Sequence, residues 1–124
     1  MKFFYKDGKP IIQVFVGLEE EIELIGIIDS GADYSTVPVD ICDALNFQKL
    51  KDIEVSIPGG TLIVPIYRGV ITIAGLKKEI EIAGLSLPPK LNIDCLVGRN
   101  FFGNLDIHLL GKQQKLVIDV GKEK

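Results

Sequence analysis

Residues 23–38, ELIGIIDSGADYSTVP, put a carboxylate where an apolar run meets a glycine turn. Asp29 follows Ile27-Ile28 and precedes Ser30-Gly31. A charge at the end of a buried strand loses solvation unless neighbours satisfy it or a site uses it. Other chemistry-bearing residues are sparse. Cys42 and Cys95 lie far apart without a Cys-x-x-Cys motif, and with His108 as the single histidine they make no zinc set. They read as two free, buried thiols of a reducing compartment. His108 reads as a half-buried strand residue. A Ser30/His108/Asp triad lacks the Gly-x-Ser-x-Gly turn, because Ile28 stands where the first glycine belongs. Asp94 has no Ser/Thr-Gly after it and reads as a turn residue. No metal or other cofactor is implied.

Three chemistries use an apolar strand that ends in Asp and a glycine turn. An ATPase of the actin and Hsp70 type cradles phosphate with such a run, but that fold needs two large domains. An aspartyl-phosphate phosphatase places a second Asp two positions on, where this chain has Gly31. The third is aspartic proteolysis, in which Asp-Ser/Thr-Gly forms the catalytic loop.

The elements that must position Asp29 are mostly strands. The chain has 124 residues, 47% hydrophobic and 25% charged, the profile of one folded domain over 1–124. The net charge of -3 and the pI near 5.1 give no basic patch for nucleic acid or an anionic membrane. No apolar run approaches the roughly 20 residues that cross a bilayer. Residues 6–9 interrupt any signal peptide, so a cytoplasmic protein is expected. The sequence KFFYKDGKPIIQVFVG predicts a hairpin turning at Asp7-Gly8-Lys9-Pro10. EEIELIGII alternates and then becomes wholly apolar, as a strand entering the interior would. VPVDICDALNF predicts a helix with Pro38 in its first turn and Ile41, Ala44 and Leu45 on one face. DIEVSI, TLIVPIY, GVITIAG, KEIEIAGLSL, NIDCLVG, LDIHLL and KLVIDV predict strands, with a short helix around RNFFGN. Many short strands between turns indicate an all-β domain, closed or sandwich-like. GIIDSGADYSTVP and DCLVGRNFFG share an outline of strand, glycine turn and helix, which suggests two similar halves.

Two segments together resemble the retropepsins, the retroviral-type aspartic proteases and their cellular relatives. IIDSGAD, residues 27–33, is similar to their catalytic loop. CLVGRNFF, residues 95–102, is similar to the segment before their C-terminal helix. The resemblance spans about residues 11–120 and implies a closed, barrel-like acid-protease fold with one or two short helices. It implies catalytic roles for Asp29, Ser30 and Gly31, with Ser30 bracing the loop of a second copy. Gly31, Ala32 and Asp33 would contact a peptide, and Asp33 would pair with Arg99 to tie the loop to the helix. SIPGGTL, residues 56–62, is similar to the flap, with Pro58, Gly59 and Gly60 at its tip. Pro58 departs from the Gly-richer viral flap and removes a backbone donor. The N-terminal hairpin has no obvious viral counterpart.

Hydrolysis of this type needs one ionised and one protonated carboxyl, and two close Asp side chains share a proton because both cannot ionise cheaply. Val97-Gly98 stands in the second half where Asp-Ser-Gly stands in the first. The expectation is therefore an endopeptidase active as a homodimer, with Asp29 of each copy forming the dyad and a peptide or protein as substrate. The terminal strands KFFY and KLVIDV are the expected interface. The alternative is a non-catalytic dimerising or peptide-binding module of the same fold.

Overall fold

The computed structural model describes residues 1–119. Val120, the end of the expected last strand, and the tail 121–124 lie outside the described residues. The strands in chain order are β1 (Lys2–Phe4), β2 (Ile11–Val16), β3 (Ile22–Ile28), β4 (Ser35–Val37), β5 (Gln48–Ile57), β6 (Gly60–Ile73), β7 (Leu76–Gly84), β8 (Cys95–Val97), β9 (Asp106–Leu110) and β10 (Lys115–Asp119). Helix α1 (Val39–Ala44) follows β4, and helix α2 (Arg99–Phe102) follows β8. The all-β expectation with two short helices holds.

A larger sheet runs in the order β4-β7-β6-β2-β3-β8, with β5 also paired to β6. Its ends, β4 and β8, are joined by side chains. The buried Thr36 hydroxyl accepts from the Leu96 N–H at 2.9 Å, and the buried Ser35 hydroxyl accepts from the Gly98 N–H at 3.0 Å. Two hydroxyls thus stand in for ladder carbonyls and bring the sheet round on itself. The enclosed core takes Val14, Ile71, Ile82, Val97 and Phe101, among others. In β3 the pattern follows the sequence: Glu23 is exposed, Leu24 is buried, and Ile28 is buried just before Asp29.

Several local expectations shift. The turn at Asp7-Gly8 forms, with both residues at positive φ and a bridge between Lys6 and Lys9. Its arms then diverge: β2 pairs with β3, whereas β1 pairs with β10 in a smaller sheet of order β1-β10-β9. The two terminal strands expected at an interface therefore pair with each other, and both edges of β10 are filled within the chain. TLIVPIY and GVITIAG merge into the single strand β6, because the Phe47 ring packs over Gly69 and occupies the space a side chain would need. In α1 the buried position is Cys42, with Ile41 and Leu45 beside it, while Ala44 faces outward. Residues three and four apart share a helix face, which places Ala44 on the other side from Cys42. His108 lies in β9 as expected but on the exposed face.

Both cysteines are free and buried. Burial, helped by the Asp43 charge, pushes the Cys42 thiol up to about 12, and burial with Asp94 nearby does the same for Cys95. The thiolate is the reactive form. Iodoacetamide at pH 8 should therefore leave both unmodified in the folded protein and alkylate both in denaturant. Mass spectrometry of the intact chain reads the outcome.

Candidate active site

Strands β3 and β8 run parallel, with Gly26 beside Cys95, Ile27 beside Leu96 and Ile28 beside Val97. The Asp29 N–H extends this ladder by donating to the Val97 carbonyl at 3.0 Å. One step further along the register, the residue beside Asp29 is Gly98, which has no side chain. The two strands therefore present one carboxylate, not two, at this pair of positions, and Asp33 in the loop beyond is paired with Arg99. Asp94 sits at the other end of β8. Its Oδ2 accepts from the Ile25 N–H at 2.8 Å, and the Asp94 N–H donates back to the Ile25 carbonyl at 2.7 Å. At about 3.3 Å per residue, the four positions from Ile25 to Asp29 separate the two acids by roughly 13 Å. Asp94, read from the sequence as a turn residue, bonds the backbone of β3 through Ile25.

Residues 29–34 form a short loop whose own chemistry fixes Asp29. The carboxylate Oδ1 accepts from the Gly31 N–H at 2.9 Å, and the Asp29 carbonyl accepts from the Ala32 N–H at 3.2 Å. An aspartate that bonds the backbone two residues on is a recurrent turn device. Here it also orients the carboxyl, leaving Oδ2 without a hydrogen bond among the described residues. Asp29 and Ala32 are half-buried, whereas Ser30, Gly31 and Asp33 are exposed. The end of an apolar strand thus places the Asp29 carboxylate at the surface of the barrel rather than within its core.

The loop rests on the start of α2. The Arg99 N–H donates to the Ala32 carbonyl at 2.8 Å. A Cβ placed on Gly98 would lie 2.5 Å from the Tyr34 carbonyl oxygen and 2.9 Å from that of Ala32. Those atoms are backbone and cannot swing aside, so Gly98 is set by close approach. The Arg99 guanidinium bonds the Asp33 carboxylate, as expected from the two motifs, but the pair is open to solvent, with side chains 54% and 76% exposed. Lys78 secures α2 from β7: its ammonium donates to the Phe101 carbonyl at 2.5 Å and to Asn104 Oδ1 at 2.7 Å. Burial lowers the Lys78 pKa from its ordinary value.

The segment 56–62 is the tip of the β5–β6 hairpin. Ser56 pairs with Thr61 and Ile57 with Gly60, and Gly59 and Gly60 take positive φ values that other residues resist. Every residue from 54 to 63 is exposed. That arm includes Val55, Ile57, Leu62 and Ile63, large apolar side chains left 36% to 58% exposed. The base of the hairpin is anchored differently. Leu50, Ile53, Val64 and Ile66 form a small cluster with Ala83 and with Tyr34 from the Asp29 loop. Among the described residues no three His, Cys, Asp or Glu side chains gather as a metal site, and no helix is long and apolar enough to cross a membrane.

No protein-family model and no curated protein matches the chain. Among solved structures, the protease of simian foamy virus (mac) is similar, with a TM-score of 0.55 and 16% identity over 72% of this chain and 87% of the viral one. At that identity the likeness shows the fold alone. The fold is that of the retropepsins, mostly β with two short helices.

The structure brings Asp29, Gly31, Ala32, Asp33 and Arg99 together, and holds Pro58, Gly59 and Gly60 on the hairpin tip. Sequence reasoning passed over two residues that set the loop, Ser35 and Asn100, and read Gly98 only as part of the Val97-Gly98 pair that stands in place of a second Asp-Ser-Gly. Gly98 and Asn100 stand inside CLVGRNFF, flanking Arg99. Ser35 had no signal in the sequence beyond being a polar residue between Tyr34 and Thr36-Val37-Pro38. Two substitutions separate the contacts beneath the loop. Gly98→Ala should destabilise the chain by about 1–3 kcal/mol through overpacking. Arg99→Ala, which removes an exposed pair, should cost about 1 kcal/mol or less. Urea unfolding followed by circular dichroism measures both, and the order of the two costs is the test.

Proposed function

We propose that the protein is an aspartic endopeptidase, one domain over 1–124, that hydrolyses peptide bonds as a homodimer. The observation that carries the reading is the single oriented carboxylate of Asp29 beside Gly98. The chemistry needs a second carboxyl, and a two-fold axis at this end of β3 and β8 supplies it as Asp29 of another copy. The fold likeness to a viral protease supports the same reading.

In that dimer the two carboxyls share one proton. The ionised one takes a proton from a water lying between them, and the oxygen attacks the scissile carbonyl carbon. The protonated one donates to the carbonyl oxygen, giving a tetrahedral diol. Collapse of the diol breaks the C–N bond, and a proton passes to the leaving amine. Ser30 would brace the facing loop across the axis. Gly31 and Ala32 would present backbone groups to an extended peptide, with Asp33 at the edge held by Arg99.

The exposed hairpin arm fits the part of a flap. Its apolar side chains gain cover when the arm folds over a peptide, and water is excluded from the dyad. Pro58 offers no N–H at the tip, so backbone contacts there fall to the residues around it. A peptide held in extended form is read as an added strand, with apolar pockets for alternate side chains.

Asp29→Asn keeps the shape and removes the base. Incubation with a mixed peptide library between pH about 4 and 7, with products read by mass spectrometry, should show cleavage by the wild type. The variant should lose at least about 10²-fold. Analytical ultracentrifugation should find both proteins dimeric. A dimer that binds peptides without turnover would make the chain a binding module instead, and full activity from a strict monomer would refute the shared dyad.

Hydrogen exchange tests the flap separately. Protection at residues 56–62 should rise when a peptide-like inhibitor binds. If it stays flat while the inhibitor is bound, the hairpin is an ordinary turn.

A further inference from the structure

Ser35 and Thr36 are buried polar residues of the fold. Most buried hydroxyls in folded proteins are hydrogen-bonded, and these two find their partners differently. Thr36 serves the Leu96 N–H and closes the barrel. Ser35 stands between the Asp29 loop and α2. Its hydroxyl accepts from the Gly98 N–H at 3.0 Å and donates to Asn100 Oδ1 at 3.0 Å. Its backbone N–H donates to the same Oδ1 at 2.9 Å. The Asn100 side chain then donates from Nδ2 to the Glu81 carbonyl at 2.6 Å.

The Asn100 amide is thereby matched at both ends. Both lone pairs of Oδ1 are used, and an Nδ2 proton reaches strand β7. An aspartate would keep the acceptors but lose the donor, setting its second oxygen against the Glu81 carbonyl. The position of this group in the chain gives it leverage. The loop is held at its start by the Asp29–Val97 bond, in its middle by the Arg99–Ala32 bond, and at its end by Ser35 on Asn100. The first two are backbone contacts that use no side chain, the second made possible by Gly98. The third depends on two specific side chains, and it decides where the loop comes down.

We propose that Asn100, acting through Ser35, is a positioning residue for the Asp29 carboxyl. The proposal rests on the protease reading above and adds to it a residue that touches neither substrate nor the reacting atoms. Catalysis through a shared proton requires the two carboxyls at a fixed separation. A displacement of about 1 Å far from the chemistry can cost roughly 10²-fold in rate.

The experiment compares Asn100→Asp, Ser35→Ala and the conservative Ser35→Thr with wild type, on cleaved peptide and by hydrogen exchange at the Gly31 and Ala32 amides. Those two amides bond the Asp29 carboxylate and carbonyl, so they report on Asp29 directly. Asn100→Asp and Ser35→Ala should lower kcat about 10- to 100-fold per folded dimer with KM nearly unchanged. Ser35→Thr, which keeps the hydroxyl, should restore kcat. Exchange at Gly31 and Ala32 should quicken in the first two variants while the amides of β2 stay protected. If kcat per folded dimer is unchanged and only the melting temperature falls, Asn100 is structural and the proposal is overturned. If the wild type cleaves nothing, the protease reading fails on its own account. The exchange result then still decides whether Asn100 sets the position of Asp29, and an unaltered loop overturns it. Should Asn100→Asp fail to fold, the Ser35 pair carries the same comparison.

Discussion

The parallel contact between β3 and β8 is the constraint on which the rest of the molecule depends. Parallel neighbours cannot be joined by a tight turn, and here the path from one to the other passes through β4, α1, β5, β6 and β7. Nearly the whole larger sheet is thus the connection between two short strands. Their C-terminal ends then lie side by side, so the loop after β3 and the helix after β8 must share one small volume. Gly98 makes that sharing possible. Its missing side chain is the space into which the carbonyls of Ala32 and Tyr34 settle.

Rigid and loose parts divide sharply around this point. Beneath the loop, backbone bonds, the Ser35–Asn100 group and the Lys78 contacts with α2 leave little freedom. The two hydroxyls that close the barrel belong to the same layer, so the join between β4 and β8 and the seat of the Asp29 loop are one structure. Beyond the cluster around Val64 and Ile66, every hairpin residue from 54 to 63 is exposed. Segments with few buried contacts open at low free energy. Tyr34 touches both regimes: its side chain joins the cluster at the hairpin base, and its backbone rests on Gly98. The ion pair of Asp33 and Arg99, by contrast, lies outside the packed layer and contributes little while solvent screens it.

Much of the fold was legible because its signals are local. The alternation in β3, the glycine turn after Asp29 and the helix expected with Pro38 in its first turn each depend on residues close in sequence, and each formed, with Pro38 one place earlier, at the N-cap. The misjudged places depend on distant partners. Gly69 looks like punctuation, but Phe47 covers it and β6 runs through. The first turn looks like a hairpin, but β10 captures β1 while β3 captures β2. In α1, Cys42 rather than Ala44 joins the core, with Ile41 and Leu45 packed against it, and that face is chosen by partners distant in sequence.

The same division holds at the site. Sequence alone determined that Asp29 ends an apolar strand in an Asp-Ser-Gly turn, that the corresponding place in the second half is Val97-Gly98, and that Asp33 and Arg99 carry opposite charges. These are matters of residue type and order. Only the tertiary structure decided that Gly98 lies directly beside Asp29, that Asp94 is spent on Ile25 at the far end of the strand, and that Ser35 and Asn100 hold the loop between them. The reason is physical. A hydrogen bond across 65 positions of sequence leaves no periodicity or propensity to read, and it exists only once the β3–β8 pairing has brought its two ends within 3 Å of each other.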